Sequence, residues 1–152
     1  MAADRPAPAW VTIPAIGGLL ESGLYVDDMD RAATFFRDVL GLSPMLSTER
    51  LVALDAGEGG VLLLFARGRS RADMTDARGT VPGHDAAGPA HMAFAIAEAD
   101  YQPWLDHLTA HDVRLRGEMR WDGGARSLYF EDPDGHVLEF ATPGLWPNDI
   151  RR

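Results

Sequence analysis

The chain has 152 residues, 46% hydrophobic and 24% charged, which is enough for one domain with a core of its own and too few for two. A formal net charge of −9, with the arginines scattered outside one loop, sets it against nucleic acid and anionic membrane surfaces. Cysteine is absent and all 14 basic residues are arginine, which removes disulfides, thiolate ligands, thiol nucleophiles, lysine Schiff bases and the P-loop lysine together.

Residues 1–18 (MAADRPAPAWVTIPAIGG) carry dispersed Pro and Gly and only scattered apolar residues. They read as an N-terminal extension, neither a signal peptide nor a membrane span, and the cytoplasm is the expected compartment. From Leu19 to Val26 the apolar residues Leu20, Leu24 and Val26 alternate with Glu21, Gly23 and Tyr25, the period of a half-buried strand. Asp27 or Asp28 then offers a helix cap. Ala32, Phe35, Phe36, Val39 and Leu40 recur at helical spacing, and Gly41 stands where a left-handed cap belongs. Three short extended segments follow, Ser43 to Ser47, Arg50 to Asp55 and Val61 to Ala66, the last two joined by an AGEGG turn. Residues 67–89, rich in Gly, Pro and Arg and without sustained periodicity, read as a long loop.

The pattern then begins again. His91 to Ala97 alternates Met92, Phe94 and Ile96 against His91, Ala93 and Ala95; a helix is expected from about Asp100 to Ala110, and strands at Arg114 to Arg120, Arg126 to Glu131 and Val137 to Thr142. The order of elements repeats at an offset of about 70 residues, which aligns Glu21 with His91. The fold class is therefore α+β: two tandem βαβββ modules, about 19–66 and 90–143, form a curled, cup-shaped sheet with helices outside, in a domain spanning 19–145 with a short tail at 146–152. In each first strand the apolar set faces the helix, which sends Glu21 and His91 to the concave side. Glu139 inside VLEFA goes the same way, because Leu138 and Phe140 fill the opposite face, and a carboxylate buried there requires a cation or hydrogen bonds.

At these residues the chain resembles the vicinal oxygen chelate superfamily, which contains glyoxalase I, the extradiol dioxygenases, methylmalonyl-CoA epimerase and the fosfomycin- and bleomycin-resistance proteins. The resemblance runs from Leu19 to Pro143. Its carriers are GLYVDDMDRAATFFRDVLGL in the first half, with HMAFAI and SLYFEDPDGHVLEFATPGLW in the second. It implies metal ligands on the first and last strands of each half: Glu21, His91 and Glu139, with apolar Leu63 at the fourth position. Three ligands resemble the extradiol and fosfomycin-resistance pattern more than the four-ligand pattern of glyoxalase I. One imidazole and two carboxylates make a hard, anionic site for a divalent ion, with Fe, Mn, Ni, Zn and Mg all within range. The resemblance also puts Tyr129, ten residues before Glu139, beside a bound substrate, and makes His84, in the loop before His91, a candidate acid/base.

Each signal has a plainer alternative. His91 alone would serve as a core histidine, Glu21 as an exposed strand-end residue, and Tyr129 as a lining aromatic. Asp132-Pro133-Asp134-Gly135 reads as turn chemistry. His136, His107 and His111 are expected at the surface, and Arg67, Arg69, Arg71 and Arg78 as a solvated loop neutralised by Asp73 and Asp76. No Gly-x-Ser-x-Gly, dinucleotide-binding Gly motif or His-Glu-x-x-His is present. The expected function is a metal-dependent glyoxalase- or dioxygenase-like enzyme acting on a small substrate with vicinal oxygens, as isomerase, lyase or ring-cleaving dioxygenase. Glu21, His91 and Glu139 hold the ion, and Tyr129, Glu139 and His84 serve catalysis. The competing expectation is a metal-free binding protein of the bleomycin-resistance type. A homodimer is expected in either case, with a small molecule as partner.

Overall fold

In the computed structural model, described over residues 12–151, one order of elements occurs twice. β1 (Glu21–Val26) leads into α1 (Met29–Thr34), which continues as a π-type segment (Phe35–Val39), and then into β2 (Ser43–Ser47), β3 (Leu51–Asp55) and β4 (Val61–Ala66). A small hairpin, β5 (Met74–Asp76) and β6 (Gly79–Val81), separates the modules. The second has β7 (His91–Ala95), a 3-10 turn (Glu98–Asp100), α2 (Tyr101–Ala110), β8 (Leu115–Arg120), β9 (Arg126–Glu131) and β10 (Val137–Ala141). The two sheets have the orders β1-β4-β3-β2 and β7-β10-β9-β8, with the first strand of each module parallel to its last and the other pairings antiparallel. No helix among the described residues is long and apolar enough to cross a membrane.

The local sequence accounts for these elements. Asp28 sits in extended backbone and accepts from Arg31 N at 3.0 Å, satisfying one donor of the first helical turn. Gly41, at φ +74°, ends the helical run in the left-handed conformation that glycine adopts without strain. Leu24 and Val26 of β1 and Leu62 and Leu64 of β4 turn their buried side chains toward Phe36 and Ala32 of the helical layer. Leu128, Phe130, Leu138 and Phe140 do the same beside Leu108 of α2. These residues join one apolar core shared by both modules. Trp104 packs on Phe140 with ring centroids 4.5 Å apart, and His107 Nε2 donates across the seam to Val39 O at 2.8 Å.

A buried polar joint contradicts the expectation of a surface residue at His136. His136 is 1% exposed: its Nδ1 accepts from Ala90 N at 2.9 Å, and its Nε2 donates to Tyr25 O at 2.8 Å. One imidazole thus satisfies a donor before β7 and an acceptor in β1, which only a neutral ring with the proton on Nε2 can do. The Asp132–Gly135 turn holds it in place: Asp132 Oδ1 accepts from Asp134 N at 3.0 Å and from His136 N at 2.8 Å, as the turn reading required. Asp134, on the same turn, accepts from Asp27 N at 2.9 Å.

Three other expectations change. His107 is half-buried because of its bond across the seam, while His111 is exposed. The 67–89 segment contains the β5–β6 hairpin, whose residues are all exposed and so left no apolar alternation to read. Its arginines are neutralised, but mostly by other acids: Arg67 by Asp27, Arg69 by Glu49, Arg71 by Asp85, and Arg78 by Asp76. Of the expected N-terminal extension, residues 1–11 lie outside the described residues, as does Arg152 of the tail.

Two stability predictions follow from the seam. His136→Leu leaves Ala90 N–H without a partner and Tyr25 C=O with Arg67 Nη2 alone, and should cost about 1–3 kcal/mol in urea denaturation with an unchanged slope. Burial pushes the Asp132 carboxyl above its ordinary value of 3.8, with the backbone hydrogen bonds it accepts from His136 and Asp134 opposing. The folded state then keeps a proton that the unfolded chain has released. Relative to Asp132→Asn, wild-type stability should therefore be highest below pH 3.8 and fall as pH rises through the raised pKa; a difference between the two proteins that is flat with pH contradicts this.

Candidate metal centre and active site

The concave face of the second sheet carries the residues with chemistry. In the β7/β10 ladder His91 stands against Val137 and Ala93 against Glu139, and in the β9/β10 ladder Glu139 stands against Tyr129. His91, Glu139 and Tyr129 therefore share one face, opposite Leu138 and Phe140. Glu139 is 4% exposed, whereas the His91 side chain is about half exposed at the rim.

His91 Nε2 lies 3.2 Å from Glu139 Oε2. His91 Nδ1 is 2.9 Å from Val137 O, which can only accept, so Nδ1 carries a proton and in the neutral ring Nε2 turns its lone pair toward Glu139. Glu139 Oε1 accepts from the buried Ser127 hydroxyl, and that hydroxyl oxygen accepts from Trp121 Nε1 at 2.9 Å. The Tyr129 ring lies 6.2 Å from the His91 ring. Burial pushes its phenol above the ordinary value of 10; a hydrogen bond with Ser127 opposes the rise and the Glu139 charge adds to it. Tyr129 is consequently a protonated donor throughout the neutral range.

The pair fits a divalent ion. Ligand atoms each about 2.1 Å from a shared ion, at angles between octahedral and tetrahedral, stand roughly 3.0–3.4 Å apart. The observed 3.2 Å falls within that span, and the tautomer is the ligating one. A neutral imidazole and a carboxylate with one oxygen directed at it suit Mn, Fe, Ni, Zn or Mg.

The other sequence candidates are elsewhere in the chain. Glu21 is exposed at the start of β1, in the other sheet, and among the described residues no three His, Asp or Glu side chains gather into a metal site. Leu63 pairs with Gly23 in the β1/β4 ladder, where it can contribute only apolar surface. His84 sits on the concave side of the first sheet: its Nδ1 hydrogen-bonds Tyr25 OH, and its ring meets Phe65 edge-on at 4.5 Å. Gly23 makes room for the Phe65 ring, since a Cβ there would come within 2.7 Å of it. The structure thus unites His91, Glu139 and Tyr129 and leaves Glu21 and His84 with the first module. Sequence reasoning missed Ser127 and Trp121; the signal available was a serine two residues before Tyr129 on the same strand face.

A mixed α+β chain of tandem βαβββ modules with inward His and Glu on their edge and neighbouring strands defines the class. The chain belongs to the Glyoxalase/Bleomycin resistance protein/Dioxygenase superfamily, whose profile matches residues 16–140. It is 31% identical over 122 residues to the glutathione transferase FosA of Serratia marcescens, covering 80% of this chain and 78% of that one. It is 28% identical over 121 residues to a metallothiol transferase FosB of Staphylococcus epidermidis, covering 79% and 78%. The crystal structure of lactoylglutathione lyase from Agrobacterium tumefaciens superposes with a TM-score of 0.79 at 32% identity, covering 88% of this chain and 99% of that one.

Proposed function

We propose that the protein is a metal-dependent enzyme in which His91 and Glu139 of one chain, with Glu21 of a second copy, hold a divalent ion beside a small substrate bearing two neighbouring oxygens. The observation that carries this reading is the 3.2 Å approach of His91 Nε2 to the buried Glu139 Oε2, with the histidine tautomer fixed by Val137. The second copy enters because the modules of one chain share their core through the helical side, leaving Glu21 exposed on a different sheet from His91. A twofold dimer bringing the first module of each copy over the second module of the other makes two equivalent sites. His84 and Tyr25 then line the wall opposite His91.

A bound ion supplies Lewis-acid polarisation of a substrate oxygen. The chain's own residues do the rest. Tyr129 donates its phenolic proton to the oxygen that gains charge, and the apolar residues around Glu139 exclude water from it. The relatives named for glutathione, for a metallothiol and for lactoylglutathione support a thiol as co-substrate or as part of the substrate. Thiol transfer to an activated carbon, or rearrangement of a thiol adduct, is therefore the favoured reaction class over ring cleavage.

Two experiments test the reading. In metal analysis, Glu21→Ala and His91→Ala chains are each expected to lose the ion, while isolated mixed dimers of the two recover about half of the wild-type content, because one of their two sites has all its ligands. No recovery refutes the shared site, and metal-free wild type refutes the enzyme reading. In a screen of glutathione and other thiols against epoxides and 2-oxoaldehydes, Tyr129→Phe should lower kcat by about 10²-fold at unchanged metal content; an unchanged kcat makes the tyrosine a lining residue only.

A further inference from the structure

The two oxygens of Glu139 have different surroundings. Oε2 faces His91, whereas Oε1 accepts from Ser127, a residue with no exposed surface. The direction of that bond is set from outside. Trp121 Nε1 lies 2.9 Å from Ser127 Oγ, and an indole N–H can only donate. It engages the serine oxygen as an acceptor and leaves the hydroxyl hydrogen for Glu139. Trp121 is held in turn at the β8–β9 corner, where its N–H donates to Ala125 O and its carbonyl accepts from Gly124 N, both at 2.9 Å. The result is a one-way chain of donors from Trp121 through Ser127 to Glu139.

We propose that Trp121 and Ser127 are positioning residues that hold Glu139 as a one-oxygen ligand and so select the ion, favouring compact transition ions such as Mn²⁺ over Ca²⁺. The inference rests on the metal-site reading above. A carboxylate with one oxygen held by a hydroxyl has less freedom to turn both oxygens toward the ion, which disfavours two-oxygen binding. Ca²⁺ takes 6–8 oxygens and draws on two-oxygen carboxylates, so it loses more by this restraint than an ion content with fewer ligands, one of them an imidazole. Glu139 has little room to turn and present both oxygens: it is buried, its chain neighbours Leu138 and Phe140 are fixed in the apolar core, and Tyr129 stands opposite it.

The test uses the full-length protein as wild type, Ser127→Ala and Trp121→Phe. Each is titrated with Mn²⁺, the free ion being followed by electron paramagnetic resonance, and then competed with Ca²⁺. The preference for Mn²⁺ over Ca²⁺ should fall about tenfold in Ser127→Ala, and by a smaller factor in the same direction in Trp121→Phe. Trp121→Phe keeps an aromatic ring at a partly exposed corner and loses only the donor, so it decides the matter by itself if Ser127→Ala does not fold. A preference within about twofold of wild type in every folded variant overturns the selection role and leaves the metal site standing. Wild type that takes up no Mn²⁺ overturns both.

Discussion

A carboxylate sealed inside a protein must be met by positive charge or by hydrogen bonds, and the arrangement of the second module follows from how Glu139 is met. Its neighbours come from two other strands: Ser127, which donates to it, and Tyr129 from β9, and His91 from β7 facing its second oxygen. They coincide only because β7 runs parallel to β10 while β9 runs antiparallel, in the observed register. A slip of one residue in β10 would turn Glu139 into the helical layer and bring Leu138 to the concave face. Here register is a chemical requirement as well as a packing one.

The same core that fixes this register determines where the site opens. Because the common apolar core and the His107–Val39 bond join the modules through the helical side, the concave faces are not spent on holding the chain together. Polar closure of the seam depends on His136 and the Asp132–Gly135 turn, which link Ala90 and Tyr25. Those residues precede β7 and lie within β1, the two strands that carry His91 and Glu21. The joint and the proposed ligands are thus mechanically close.

Much of this was legible in the sequence because half-buried strands must alternate. Val61–Ala66 and Arg126–Glu131 have the boundaries their patterns gave, and the assignment of Glu139 to the concave face followed from its two apolar neighbours alone. Other features had no local signal. The π-type segment at Phe35–Val39 keeps its apolar residues inward under either helical period. The β5–β6 hairpin buries nothing and so leaves no apolar trace. His136 is interior because two backbone groups distant in sequence need one imidazole, which no window of sequence contains. For Glu21, alternation identified the face but not the sheet that faces it.

Glu21 and Glu139 differ in what each is embedded in. Glu139 is built into the middle of a sheet, where any replacement disturbs Ser127, His91 and the packing of β10 together. Glu21 begins an edge strand, is exposed and is no part of the core cluster. Substitution there costs the fold almost nothing, typically under about 0.5 kcal/mol. In the shared site proposed above, that corner is therefore free to trade an acid for an imidazole or an amide while the rest of the scaffold stays as it is, so the reactivity of the proposed centre can be retuned without rebuilding the domain beneath it.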